Sequence, residues 1–192
     1  MHKLIDSYLL FRLKVKRDPE AFARIYDRYV EAVYRFAFLK LPTKEEAQDV
    51  TAETFTRAWQ YICENHPISN MRALLYRITR NLIADHYRRG SPKTVSLDEA
   101  VTFQLENASS VYVSQENDAG QGRKLIEARA DLALLLRKLE RLKEDFRDVL
   151  TLRLIDDLPF QDIANILEKK TGHIRVIYHR AVKALKDLDT SP

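Results

Sequence analysis

The chain has 192 residues, enough for one domain or two small ones. Only 4 residues are glycine, while 45% are hydrophobic and 31% are charged. This composition argues against a turn-rich β-sandwich or barrel and favours helices. The single cysteine, Cys63, excludes an internal disulfide and a cysteine metal cluster. No uncharged apolar run approaches the ~18 residues of a membrane span, and the N-terminus lacks the apolar core of a signal peptide. We therefore expect a soluble, cytoplasmic, all-α protein.

Charge is unevenly distributed along the chain, whose formal net charge is +4. Residues 1–90 and 123–192 are each net basic, whereas residues 91–122 are net acidic and rich in Ser, Asn, Gln, Val and Thr. The middle segment has no sustained helical period. The pattern predicts two small helical domains, 1–90 and 125–192, joined by an acidic, flexible, polar linker over 91–124. Because a duplex repels an acidic linker, DNA contacts are expected from the domains.

The first domain opens with two helices. An apolar face over 4–15 predicts a helix that packs on the rest of the domain. Asp18 followed by Pro19 gives an N-cap and a proline in the first turn, which together predict the start of a second helix. Leu41-Pro42 ends that helix.

Two further helices complete the first domain. Thr43 and Glu46 have the spacing of a capping box, which starts the third helix. The 65–69 segment is predicted to be a loop. A fourth helix is expected from about Asn70 to Arg89.

The outward faces of the fourth helix are basic. They carry five arginines and one aspartate: Arg72, Arg77, Arg80, Arg88, Arg89 and Asp85. Such a surface can contact phosphates, although most charged helix faces are simply solvated. Nearby rings favour nucleic acid because they can stack on unpaired bases; these are Tyr76, His86 and Tyr87. Tyr76 could equally belong to the core.

The order of helices predicted for the second domain points to a particular motif. Apolar spacing predicts two helices between Leu132 and Leu154. A short helix over 160–167, a polar turn and a longer helix from about 173 to 188 follow. This order is that of a helix-turn-helix, whose last helix enters the major groove of DNA. A helical hairpin that packs only on itself is the alternative interpretation.

Several segments resemble one family in their sequence and order. They are Phe22 to Tyr34, Glu46 to Trp59, Leu75 to Arg89, Leu158 to Ala164, and Gly172 to Ala181. Together they resemble bacterial sigma factors of the extracytoplasmic-function (ECF) type, the smallest relatives of the sigma-70 family, which have only regions 2 and 4. The resemblance implies a region 2 domain over 1–90 and a region 4 domain over 125–192.

The resemblance implies a bacterial promoter-recognition subunit rather than an enzyme. It implies no catalytic residue, cofactor, metal or small-molecule substrate, and no direct insertion into a membrane. The implied partners are promoter DNA, core RNA polymerase at its clamp and flap regions, and an anti-sigma factor. Polymerase binding would fall on the third helix, at Asp49, Glu53 and Arg57.

The resemblance also assigns two DNA-binding sets. The −10 element would meet the 65–70 loop and six residues of the fourth helix: Arg72, Arg77, Arg80, Asn81, Asp85 and Arg88. The −35 element would meet the recognition helix at His173, Arg175, Val176, His179, Arg180 and Lys183. Three positions depart from the family pattern: Leu74 replaces a tryptophan, Glu168 a turn glycine, and His173 a small residue.

Two other classes of function stay open at this point. A stand-alone helix-turn-helix regulator would bind duplex DNA tightly without polymerase, typically as a dimer on paired half-sites. A purely protein-binding helical adaptor would tolerate loss of Arg175 and Arg180.

Overall fold

A computed structural model describes residues 2–16, 18–89, 134–135, 137–139 and 141–188. Every regular element in these ranges is helical, which confirms the all-α prediction. The predicted linker over 91–124 lies outside the described residues.

The elements are, in chain order, α1 (His2–Lys16), α2 (Pro19–Phe38), α3 (Lys44–Cys63), α4 (Met71–Arg88), α5 (Glu144–Leu150), a π-helical turn (Thr151–Ile155), α6 (Phe160–Leu167) and α7 (Thr171–Asp187). They belong to two compact units. The first lies within Met1–Lys93 and Gln161–Lys169, and the second within Thr94–Phe160 and Lys170–Pro192. No described helix is both long and apolar enough to cross a membrane.

The core of the first unit joins α1 to α4. Leu9 and Leu13 of α1 are buried in one cluster with Ile25 of α2, Phe55 of α3 and Leu75 of α4. Burial of each large apolar side chain contributes about 1.5–3 kcal/mol. The prediction that the N-terminal helix packs on the first domain is therefore confirmed.

Side-chain caps fix where three of these helices begin. Asp18 accepts a hydrogen bond from the Glu20 N–H, and Pro19 follows it. Thr43 and Glu46 form the predicted capping box, with N···O distances of 3.2 and 3.1 Å. Asn70 accepts from the N–H of Ala73 at 3.0 Å and caps α4. These bonds satisfy backbone donors that a helix start leaves unpaired.

The second unit has its own apolar core. Val149 and Leu152 are fully buried, as are Ile174 and Ala181 on one side of α7. Tyr178 packs its ring edge against Phe160 at a centroid distance of 5.3 Å. Because these residues are buried, the opposite side of α7 faces water.

Loss of the α3 capping box is expected to lower stability. Thr43→Ala removes the acceptor for the Glu46 N–H and should cost about 1 kcal/mol. Urea denaturation followed by circular dichroism measures this change. Gln48→Ala, at an exposed position of the same helix, is the control and should unfold like the unaltered chain. A Thr43→Ala variant as stable as that control would contradict the capping role.

Candidate nucleic-acid interface

The six predicted −10 residues lie along α4, whose opposite side is buried. Arg72, Arg77, Arg80 and Asp85 are half-buried, whereas Asn81 and Arg88 are exposed. Leu75, Thr79 and Leu82 occupy the inward side. The helix therefore presents polar and basic groups to solvent because its apolar groups are held in the core.

Several of these arginines already have partners. Arg88 is ion-paired with Asp85 one turn away. Arg77 is ion-paired with Glu168, a residue of the same compact unit, at 3.1 Å. The Arg72 guanidinium lies over the ring of Tyr29, 5.8 Å from its centroid. Exposed ion pairs contribute only about 0–1 kcal/mol, so a phosphate can replace the carboxylate partners at little cost.

The rings expected beside the arginines are engaged within the protein. Tyr76 is 1% exposed and packs edge-on against Phe36, 5.1 Å between centroids. Of the two roles left open for Tyr76, stacking on bases or packing in the core, the structure shows the core role. The Tyr87 hydroxyl donates to the backbone carbonyl of Lys40. His86 lies 3.4 Å from a Glu46 carboxylate oxygen.

A different ring pair lies at the loop before α4. His66 is exposed and stacks on Tyr61, with centroids 4.5 Å apart and planes 28° from parallel. Asn65 precedes it in the left-handed backbone region, at φ 59°. The predicted loop over 65–69 is confirmed, but a ring contact within it was not predicted. The sequence signal that could have predicted the ring contact is the five-residue spacing of Tyr61 and His66 across the end of α3.

The predicted polymerase-binding residues share one stripe of α3. Asp49, Glu53 and Arg57 follow each other at four-residue intervals, which places them on one side of the helix. Asp49 and Arg57 are exposed, and Glu53 accepts a hydrogen bond from Arg57 Nε at 2.7 Å. The structure thus brings these three residues together at the surface.

The predicted −35 residues form one exposed face of α7. All six are exposed: His173, Arg175, Val176, His179, Arg180 and Lys183. Ile174 and Ile177 lie on the buried side of the same helix. A face with three permanent cations and one apolar side chain can hold phosphates and contact base edges.

The three departures from the family pattern have physical consequences. Leu74 is 5% exposed, so it belongs to the core and cannot act as a surface wedge. Glu168 adopts the left-handed backbone with φ 53°, which shows that a non-glycine residue accepts this turn geometry. His173 is exposed at the start of α7.

The described residues contain no group of three or more His, Cys, Asp or Glu side chains that could hold a metal ion. Cys63 is a half-buried free thiol.

Comparison with known protein families gives two matches along the chain. The family model for sigma-70 region 2 matches residues 25–92, and the one for sigma-70 region 4 matches residues 139–187. Together they cover more than half of the chain.

Individual relatives agree with these matches. The chain is 31% identical over 172 residues to the ECF RNA polymerase sigma factor BldN of Streptomyces coelicolor, covering 89% of this chain and 61% of BldN. It is 29% identical over 176 residues to SigW of Bacillus subtilis, covering 89% of this chain and 90% of SigW. The solved structure of the sigma factor RpoE with the anti-sigma factor NepR, from Bartonella quintana, has a TM-score of 0.59 at 20% identity, over 89% of this chain and 98% of that one. This last similarity concerns the fold.

The helical fold and the two matched regions define a sigma factor, the class of protein that directs transcription to promoters. More specifically, the chain belongs to the sigma-70 family and to its ECF type. Sigma factors are in general non-enzymatic regulators.

Restoring the family's tryptophan at position 74 is expected to destabilise the first unit. Leu74→Trp forces a larger ring into a well-packed site and should cost about 1–3 kcal/mol, measured by urea denaturation. Leu74→Met nearly conserves the volume and is the matched control. A Leu74→Trp variant at least as stable as Leu74→Met would show that the site has room for a ring.

Proposed function

We propose that this sigma factor divides its work among three surfaces: the α3 stripe for core RNA polymerase, the α4 face for the −10 element and the α7 face for the −35 element. It works in the bacterial cytoplasm, where the polymerase is, and has no enzymatic activity of its own. The observation that carries the proposal is the α7 face, on which all six predicted residues are exposed above a buried apolar side.

At the −35 element, α7 enters the major groove with its N-terminal turns towards the bases. Arg175 lies in the second turn and can donate two hydrogen bonds to a guanine edge. Val176, 45% exposed, suits contact with a thymine methyl group. Arg180 and Lys183 neutralise phosphates, which adds affinity without sequence information.

At the −10 element, the task is to hold an unpaired strand. The α4 arginines attract the backbone, while the loop before α4 offers the Tyr61–His66 ring pair for stacking. Base–aromatic stacking contributes about 1–3 kcal/mol per base. Unpairing costs a few kcal/mol per extruded base. The free energy gained by stacking one base on a ring and by a few phosphate contacts is large enough to offset this cost.

At the polymerase, the α3 stripe presents an acid and an ion pair on a rigid helix. Asp49 can pair with a basic residue of the polymerase clamp without leaving its own helix. The proposal also includes an anti-sigma partner, because RpoE has been solved in complex with the anti-sigma factor NepR and is similar to this chain in fold.

The experiment that tests this function combines the purified chain with core RNA polymerase lacking sigma and a library of genomic promoters. Sequenced transcripts should start at discrete sites that share two upstream elements. Specific duplex binding without core, combined with no start sites in its presence, would instead support a stand-alone regulator.

Two α7 substitutions should separate base reading from phosphate binding. Arg175→Ala is expected to lose about 1–3 kcal/mol of discrimination at the base pair that it contacts. Lys183→Ala should weaken binding equally on all sequences and reduce the slope of log K against log salt by about one. Both effects are measured as holoenzyme affinity for −35 variants over a salt series. Identical profiles for the two variants would contradict the assignment.

Reversing a charge on the α3 stripe should impair polymerase binding. Asp49→Lys places a cation where we propose a basic partner, and repulsion of several kcal/mol predicts at least a tenfold loss in competition for core. Gln48→Lys adds a lysine at an exposed neighbouring position of α3 that points in another direction, so it should compete like the unaltered chain. Equal losses in the two variants would show that added positive charge, rather than the stripe, is responsible.

A further inference from the structure

The N-terminal helix α1 contributes a buried acid to the first unit. Asp6 is only 8% exposed. One of its carboxylate oxygens accepts a hydrogen bond from the hydroxyl of Tyr29 on α2, and the other accepts from Arg28 Nη1 at 3.4 Å. Leaving such an acid unpaired would be costly, so these bonds fix Asp6 and Tyr29 to each other.

Tyr29 transmits this contact to α4. It is 3% exposed, and burial followed by the bond to Asp6 raises the pKa of its hydroxyl. The hydroxyl therefore keeps its proton and continues to donate to Asp6 throughout the physiological range. On α4, the Arg72 guanidinium lies over the Tyr29 ring, 5.8 Å from its centroid, and its charge partly opposes the rise in the pKa of the Tyr29 hydroxyl.

The result is a continuous contact from α1 through α2 to the first turn of α4. Arg72 is a long, rotamer-rich side chain, and a fixed aromatic face beneath it restricts where the guanidinium lies. Asp6 also places its carboxylate 3.4 Å from the Arg28 guanidinium, which balances part of its buried negative charge. An apolar residue at position 6 could fill the space but could not orient the Tyr29 hydroxyl.

We propose that Asp6 is a positioning residue for recognition of the −10 element, acting through Tyr29 to hold Arg72 ready for the DNA backbone. This inference rests on the proposed DNA role of Arg72. It gives α1 a part in promoter opening, although α1 lies before the residues matched by the region 2 model.

The test is a double-mutant cycle on promoter opening by the holoenzyme. The full-length chain, Asp6→Asn, Arg72→Ala and the double variant are each assembled with core RNA polymerase. The rate of opening is followed with a fluorescent base analogue in the −10 element. Ordering a rotamer-rich side chain at an interface costs about 0.5–1.5 kcal/mol, so Asp6→Asn should slow opening roughly two- to tenfold. It should have no further effect when Arg72 is already alanine.

Two further variants separate positioning from general stability. Leu9→Ala weakens the packing of α1 but keeps the Asp6 carboxylate, and its loss of stability is compared with that of Asp6→Asn by urea denaturation. Tyr29→Phe keeps the ring and removes the hydroxyl, so it should slow opening about as much as Asp6→Asn. If Leu9→Ala lowers stability by at least as much as Asp6→Asn does, it should still open promoters faster than Asp6→Asn.

The outcomes distinguish this inference from the function on which it rests. If Arg72→Ala slows opening but the effect of Asp6→Asn simply adds to it, Asp6 does not act through Arg72 and the inference is overturned. The same holds if Leu9→Ala reproduces the defect at equal stability. If Arg72→Ala opens promoters at the unaltered rate, the proposed −10 role of Arg72 is wrong, and the positioning role is refuted with it.

Discussion

Burial of one side of α4 is the constraint on which the first unit depends. Leu74 and Leu75 hold the helix in a core shared with α1, α2 and α3, while the buried hydroxyls of Thr54 and Thr79, 3.1 Å apart, join α3 to α4. Since a helix has a fixed period, an inward apolar side forces the intervening residues outward. The basic surface is thus a geometric consequence of the core: its position relative to α3 cannot change unless the packing changes.

In the second unit, too, the buried side of a helix determines which residues face solvent, although fewer residues are buried. Only Ile174, Ile177 and Ala181 of α7 are buried, which leaves most of a long helix exposed. A helix with so little burial gains little from packing, whereas the wide exposed face suits the proposed entry into a DNA groove about 12 Å across. Glu168 adopts a left-handed backbone at a cost of roughly 1–2 kcal/mol for a non-glycine residue.

Local signals in the sequence predicted the helices and the exposed faces well. Asp18 with Pro19, and Thr43 with Glu46, are caps whose partners lie within a few residues, so spacing alone identifies them. The exposed face of α7 follows from the period of its apolar residues.

Tyr76 shows the limit of predictions from local patterns. An aromatic residue in a basic helix fits either a stacking or a core role, and only the position of Phe36, which is 40 residues away, decides it.

The Asp6–Tyr29–Arg72 contact shows why the residues that support the candidate site could not be predicted from the sequence. Asp6 and Tyr29 are separated by 23 residues, and Asp6 lies outside every segment that resembles the family. In the sequence, Asp6 is an ordinary acid on a predicted helix, where solvent exposure is the usual outcome. Its burial depends on the angle at which α1 crosses α2, which no local pattern encodes. A residue that orients a neighbour is recognised only once the neighbours are known. The sequence therefore identifies candidate DNA contacts such as Arg72, whereas the residues that hold those contacts in place emerge from the packing.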